Sequence, residues 1–387
     1  MQILNLGKIY RIVTPPHGEG LMHVEYPGIF NLVEKVPGPC VYIEFVMGDA
    51  FEHCPLATVI EPEHLAAIKQ GTAYLVLNNS YESFHHIVPP LYKSLVEKEG
   101  LDPERIILLS NSADIINTVR SIAAAMGHKP FGCQWVMELE MTIQQYVTGV
   151  SSWVSPPSPV PKLKKFVNFN RRWRPHRPAF VACMAALGTL EHGYVSLGLS
   201  DMSSTLSRQW VNIEQFFADI PEAKTLLAAN HDHIVSLPPM YLDTDNLENP
   251  PPLMHREQAK FFHESYFSVV SETNFQTLGW EGGNRFFSEK TFKTIAFRHP
   301  FLLISVANSL PLLHELGYKT FSPWIDESYD AETNDAQRLW MIAKELQRLC
   351  SLPESELRAI CDEMKHICED NFHNLRKKKT FVRVISS

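Results

Sequence analysis

"RIILLSNSADIINTVRSIAAAMG", residues 105 to 127, decides the fold class. Ile106 to Leu109 form an unbroken apolar run that ends in Ser110-Asn111-Ser112, which reads as a buried strand. From Ala113 onward the apolar residues fall at Ile115, Ile116, Val119 and Ile122, the spacing of one helical face, and Gly127 supplies the C-terminal stop. Strands that alternate with such helices imply a parallel sheet with crossover helices.

Working outward, the same alternation appears on both sides. VYIEFVMG (41–48) and AYLVLNN (73–79) read as strands, and LYKSLVEKEG (91–100) as a helix closed by Gly100. CQWVMELEM (133–141) reads as the next strand. SSWVSPPSPVPKLKK (151–165) interrupts the pattern, because Pro156, Pro157, Pro159 and Pro161 cannot continue a helix or a central strand. The alternation then restarts with KFVNFN (165–170), RPAFVACMAALGTL (177–190), SYFSVVSET (265–273) and FLLISVAN (301–308). SLPLLHELG (309–317) reads as a helix with Ser309 as N-cap, and YKTF (318–321) as a short strand. Two long helices, from Asn334 and Pro353, finish the chain. The expected architecture is α/β, with two Rossmann-like domains facing a central cleft. Residues 1–150 would form the first domain, 151–165 a linker, 166–345 the second domain and 346–387 a helical extension.

Composition narrows the function. The 387 residues carry 45% hydrophobic and 20% charged side chains, as a soluble globular protein does, and the net charge of −8 disfavours a non-specific nucleic-acid binder without excluding a local basic groove. Seven scattered cysteines without a CxxC pair argue against a disulfide framework or structural zinc. No apolar run approaches a membrane span and no signal peptide is recognisable, so a cytoplasmic setting is expected. Neither GxxxxGK[ST] nor a strand-linked GxGxxG is present, which disfavours a nucleotide-dependent kinase or epimerase.

Five stretches could carry chemistry at strand ends, where open α/β sheets bind ligands. In FFSEKTFKTIAF (286–297), Ser288 is an N-cap, Phe292, Ile295 and Ala296 face inward, and Glu289, Lys290 and Lys293 stand at a helix start suited to phosphate and sugar hydroxyls. In NRRWRPHR (170–177), Arg171, Arg174 and Arg177 crowd one strand-to-helix turn and would answer a diphosphate. Glu272 ends the strand SVVSET. In WIDESYD (324–330), Asp326, Glu327 and Asp330 bunch upstream of Arg338, either to hold a donor sugar or to brace the structure. In NNSYESF (78–84), Glu82 is placed to act as general base toward an acceptor hydroxyl. LDTDN (242–246) and HDH (231–233) have the form of metal motifs without supporting ligands nearby, so no divalent metal is expected to be required.

VSETNF (270–275), FFSEKTFKTIAFRHPF (286–301) and LHELGYKTFSPWIDESYD (313–330), with Arg338 downstream, together resemble a group of glycosyltransferase-like proteins of viruses, phages and bacteria. The Glu-Lys pair before an apolar helix also resembles the donor-binding segment of fucosyltransferases. The resemblance spans roughly residues 65–345 and implies a GT-B architecture with a nucleotide-sugar donor in the C-terminal half. It implies that Glu289 and Lys290 bind ribose and phosphates, that Arg171, Arg174 and Arg177 neutralise the diphosphate, and that Glu272 contacts the donor. AFRHPFLLISVANS (296–309) departs from many relatives in lacking a glycine after the strand. The expected activity is transfer of a hexosyl or pentosyl group to a hydroxyl on a glycan, a protein or a hydroxylated DNA base. The alternative is a non-catalytic binding or assembly protein on the same scaffold. The basic runs PKLKKF, NRRWRPHR and NLRKKKTFVRV keep a DNA backbone in play as partner.

Overall fold

The computed structural model describes residues 10–12, 39–45, 55–80, 85–149, 154, 160–198, 206–242, 254, 256–276, 284–379 and 382–383. The chain divides into two compact units. Unit 1 comprises Met1–Glu138, Trp280–Phe286 and Thr380–Ser387, and unit 2 comprises Leu139–Gly279 and Phe287–Lys379.

Unit 1 is built on a sheet of strand order β1-β2-β3-β4-β5-β10. Its strands are β1 (Tyr10–Ile12), β2 (Cys40–Phe45), β3 (Tyr74–Asn79), β4 (Ile106–Ser110), β5 (Gly132–Val136) and β10 (Val382–Arg383). β1 to β5 run parallel, and β10 joins β5 antiparallel at the edge. Alternate side chains of these strands enter two separate cores. Val41, Ile43, Leu75, Leu77, Ile106 and Leu108 pack on one face. Tyr42, Val76, Ile107, Leu109 and Val136 pack on the other. That two-sided burial is why the strand centres are continuous apolar runs, Leu75–Leu77 in β3 and Ile106–Leu109 in β4, instead of alternating with polar residues. Helix α1 (Pro62–Lys69) and helix α2 (Ile115–Met126) flank the sheet, and α2 ends at Gly127 with φ 73°, a left-handed stop that glycine adopts without strain. Its buried stripe is Ile115, Val119 and Ala123, with Ile116 and Ile122 half-buried beside it.

Helix α3 (Glu138–Gly149) spans the boundary between the units. The expected strand over 133–141 therefore stops at Val136, and Glu138 opens a helix.

Unit 2 carries a fully parallel four-stranded sheet of order β7-β6-β8-β9. Its strands are β6 (Lys164–Asn168), β7 (Gly193–Val195), β8 (Ser265–Ser271) and β9 (Phe301–Ile304). Helices α4 (His176–Ala186), α5 (Arg256–His263), α6 (Glu289–Ala296), α7 (Ser309–Glu315), α8 (Asp335–Ser351) and α9 (Glu354–Lys377) surround it. β8 is buried along its whole length, as a central parallel strand must be. Each unit is thus an α/β layer structure of Rossmann type.

Two local expectations change. Residues 318–321 form no strand, because Asn371 on α9 takes the backbone pair of Lys319, accepting from its N–H at 2.8 Å and donating to its carbonyl at 2.9 Å. Ser309 is the first helical residue of α7 and Asn308 (φ 62°) is the cap, a left-handed position that asparagine tolerates. Among the described residues no helix is long and apolar enough to cross a membrane.

Candidate functional site

The carboxyl edge of unit 2's sheet gathers most of the residues that the sequence singles out. β6 runs into the loop 169–175 that carries Arg171 and Arg174, and α4 follows from His176. The loop is stitched to residues 196–198: Ser196 N–H donates to the Asn168 carbonyl at 3.0 Å, and Gly198 N–H to the Asn170 carbonyl at 2.8 Å. A Cβ on Gly198 would stand 1.6 Å from the Arg171 carbonyl oxygen, so only glycine permits this approach. Asn168, fully buried, donates to the Val269 carbonyl at 2.7 Å and to Ser271 Oγ at 3.1 Å, tying β6 to the end of β8.

Glu272 follows β8 and is completely buried. Its carboxylate accepts from Ser288 N–H at 3.0 Å, from Thr273 N–H at 3.3 Å and from the Thr291 hydroxyl at 2.5 Å. Glu272 thereby joins the strand end to the start of α6. Ser288 caps that helix as its sequence predicts, its Oγ accepting from Lys290 N–H at 3.3 Å. Lys290 Nζ lies 3.0 Å from Ser288 Oγ, 3.4 Å from Thr273 Oγ1 and 3.4 Å from Glu289 Oε1. The Lys290 side chain keeps 20% exposure, so its ammonium has an open side.

The charges here are strongly coupled. Burial would raise Glu289, but Lys290 and Lys293 overcome it and hold its carboxyl down at about 2. Burial lowers Lys290, against the pull of Glu289, and Arg177 lowers it further. His176 is buried, with Nε2 3.1 Å from the Glu272 carbonyl and its ring stacked on Phe275 at 5.1 Å. A carbonyl only accepts, so Nε2 carries the proton. Burial and then Arg177 push His176 well below the ordinary histidine range, which leaves it neutral. Arg174 and Lys290 act on it in the same sense.

The structure separates the arginines by role. Arg177 is 3% exposed and donates to the carbonyls of Arg172, Ser271 and Glu272, at 2.6, 3.2 and 3.1 Å. Its hydrogen bonds fix the strand end, and what it offers a ligand is charge. Arg174 is half-buried, with Nη1 3.3 Å from the carbonyl of its neighbour Trp173, and Arg171 is half-buried on the same loop. Lys293 is buried, donating to Gln258 at 3.0 Å and lying 5.6 Å from the Phe169 ring centre. Lys290 and Lys293 both line a small cavity with Phe169, Phe262, Ser271 and Thr294.

The acidic stretch 326–330 is organised differently. Asp330 accepts from Ser309 and Leu310 N–H, both at 3.1 Å, and so caps α7. Glu327 accepts from Phe321 N–H at 2.7 Å and from the Thr320 hydroxyl at 2.8 Å. Asp326 accepts from Ser328 N–H at 3.0 Å. Arg338, 1% exposed, donates to the carbonyls of Ser305, Glu332 and Phe275 and pairs with Asp335 at 2.6 Å. These bonds give each of these charged side chains a partner within the chain.

In unit 1 the carboxyl edge of β3 to β5 carries a buried polar group. Ser80 donates to Glu138, which is 1% exposed, and the Ser112 hydroxyl pairs with Asn284. The sequence does not single out Glu138, because MELEM has the pattern of a strand. Its signal was an acid directly after an apolar strand, the same pattern that drew attention to Glu272. Glu82 and residues 243–246 of the LDTDN motif lie outside the described residues. HDH forms the start of a short helix (His231–Val235), with His231 Nδ1 2.8 Å from Asp232. Among the described residues no three His, Cys, Asp or Glu side chains come together as a metal site.

No protein-family model matches the chain, and no curated protein matches it. Solved structures do. An α,α-trehalose-phosphate synthase (UDP-forming) from Burkholderia vietnamiensis aligns over 86% of this chain and 69% of its own, at 12% identity and a TM-score of 0.39. The N-terminal domain of trehalose-6-phosphate phosphatase from Candida albicans aligns over 90% of this chain and 72% of its own, at 10% identity and a TM-score of 0.38. Likenesses this distant carry no argument about activity.

Proposed function

We propose that the protein is a glycosyltransferase that binds the nucleotide diphosphate of a sugar donor at the carboxyl edge of unit 2's sheet. The observation that carries this reading is Lys290. It is a partly exposed ammonium at a helix N-terminus, flanked by an ionised Glu289, at the end of a central parallel strand. The resemblance of residues 270–330 to viral, phage and bacterial glycosyltransferase-like proteins, and of the Glu-Lys segment to fucosyltransferases, points the same way.

In this mechanism Lys290 and Arg174 hydrogen-bond the diphosphate, and Arg177 and Lys293 add positive field from buried positions. Glu289 accepts from the ribose hydroxyls. The acceptor hydroxyl attacks the anomeric carbon, the bond from that carbon to the diphosphate oxygen breaks, and its electron pair leaves with the nucleoside diphosphate. The cations stabilise that departing charge, the help that a metal would otherwise give. Glu82 is assigned the proton of the acceptor hydroxyl, and the acceptor is a glycan, a protein or a hydroxylated DNA base.

The test is thermal shift with UDP, GDP, CMP and dTDP, each with and without magnesium, followed by donor hydrolysis with the nucleotide that binds. Stabilisation by one nucleotide, lost in Lys290→Ala, supports the reading. Stabilisation without any turnover favours the binding-protein alternative. The absence of any shift counts against the donor site.

A further inference from the structure

We propose that unit 2 has a second anion site, at the amino edge of the same sheet, that takes the phosphoryl or diphosphoryl group of a small molecule. The site is a cavity of about 470 Å³ between the leads into β6 and β9, the first turn of β8, and one face of α9. Its volume lies in the range of small-molecule pockets. Lys162, Arg298, Arg358 and Lys365 line it, with Asp362 the one acid in the wall and Tyr266 between the cations. Three of the four cations have an acid partner within the chain, Arg298 with Glu369, Arg358 with Glu354 and Lys365 with Asp362, so an anion would enter by exchanging with those partners.

The cations are available to an incoming anion to different degrees. Arg358 pairs with Glu354 at 3.2 Å, and Lys365 with Asp362 at 2.6 Å. Both pairs are more than half exposed, and exposed pairs are weak enough for a multiply charged ligand to displace. Lys162 is more enclosed and donates to the carbonyls of His263 and Ser265. Burial is the main reason that it is lowered to about 8, with Lys365 and Arg358 as smaller contributions.

Arg298 provides the independent observation. It sits just past the end of α6 with φ 55°, the left-handed position where glycine is the inexpensive choice. An arginine there stores strain, and such strain collects at functional positions. Its guanidinium lies 3.5 Å from the Phe372 ring centre and 3.0 Å from Glu369, and it lines the cavity. The site is distinct from the proposed donor edge. Tyr266 and Glu272 lie near opposite ends of β8, about 20 Å apart at roughly 3.3 Å per residue.

Binding of inorganic pyrophosphate to the full chain, followed by calorimetry, tests this. Arg298→Gly relieves the backbone strain and removes the charge, so the protein should fold as well as wild type and bind pyrophosphate about tenfold more weakly. Arg358→Ala with Lys365→Ala should weaken it at least as much. Pyrophosphate can also bind at the donor edge, so Lys290→Ala should remove that site and leave one site, the one that Arg298→Gly weakens. As a control, Arg376→Ala with Lys377→Ala removes two exposed cations at the far end of α9 and should change nothing. The proposal is overturned if wild type does not bind pyrophosphate, if Lys290→Ala abolishes all binding, or if the control weakens binding as much as Arg298→Gly.

Discussion

Two regions of unit 2 begin from the same sequence signal and end in opposite electrostatic states. At the start of α6, Glu289 stands beside two lysines that hold it ionised down to about 2. At the start of α7, Asp330 is answered by the N–H groups of Ser309 and Leu310, and burial pushes it up to about 6. Both are acids at helix N-termini, where the macrodipole favours them. The difference lies in the partner. Backbone amides satisfy a carboxylate without adding charge, so the desolvation of Asp330 prevails. Lysine side chains bring full charge, so Glu289 stays an anion and the edge around it stays ionic. An acid answered by amides is scaffold, and an acid answered by a partly exposed cation is the better site candidate.

The largest effect expected from breaking this contrast is at Glu272, which links the two kinds of partner. Glu272→Ala leaves Ser288 N–H and the Thr291 hydroxyl buried without their acceptor, and should cost about 3 kcal/mol in urea unfolding. A loss below about 1 kcal/mol would show that the strand end does not depend on it. Lys290→Ala should separate function from folding. We expect donor turnover to fall about 100-fold, with a smaller loss of stability than in Glu272→Ala, since Lys290 also helps to hold Glu289 ionised. Equal loss of stability and turnover would make Lys290 a bracing residue like Arg338.

The contrast also has a sign in pH. For Glu289 the folded value of about 2 lies below the ordinary 4.5, so its contribution to stability is present above 4.5 and is lost as pH falls toward 2. For Asp330 the folded value of about 6 lies above the ordinary 3.8, so the folded state holds the proton more tightly and stability falls as pH rises from 3.8 through 6. Denaturation across this range should therefore show Glu289→Gln flattening the acid limb below 4.5, and Asp330→Asn flattening the fall between 3.8 and 6. Slopes of the same sign would break the comparison. The smallest effect is expected at Asp326, which is exposed and accepts from Ser328 N–H within its own loop. Asp326→Ala should change stability by less than about 0.5 kcal/mol and leave turnover intact; a large loss of turnover would favour the donor-sugar role of this loop.

Much of the fold was legible because periodicity is local. The apolar run Ile106–Leu109 of β4, the Val269-Val270 centre of β8 and the Ile115-Val119 stripe of α2 report burial on two faces or on one, whatever the neighbours are. The end of β5 and the coil at 318–321 were not legible. The first depends on where Glu138 turns the chain into a helix, and the second on Asn371, some fifty residues away, supplying the bonds that a strand partner would have supplied.

For the site, the residue order names the chemistry in stock: arginines after β6, an acid after β8, a Ser-Glu-Lys helix start, and acids before α8. How each is used depends on the folded chain. It buried Arg177 and Arg338 against carbonyls, committed Asp330 and Glu327 to backbone N–H groups, and left Lys290 with an exposed side next to an ionised Glu289. The physical reason is that a charged side chain's role is set by its nearest partners and its access to water. Both are properties of packing between distant segments, and residue order does not encode them locally.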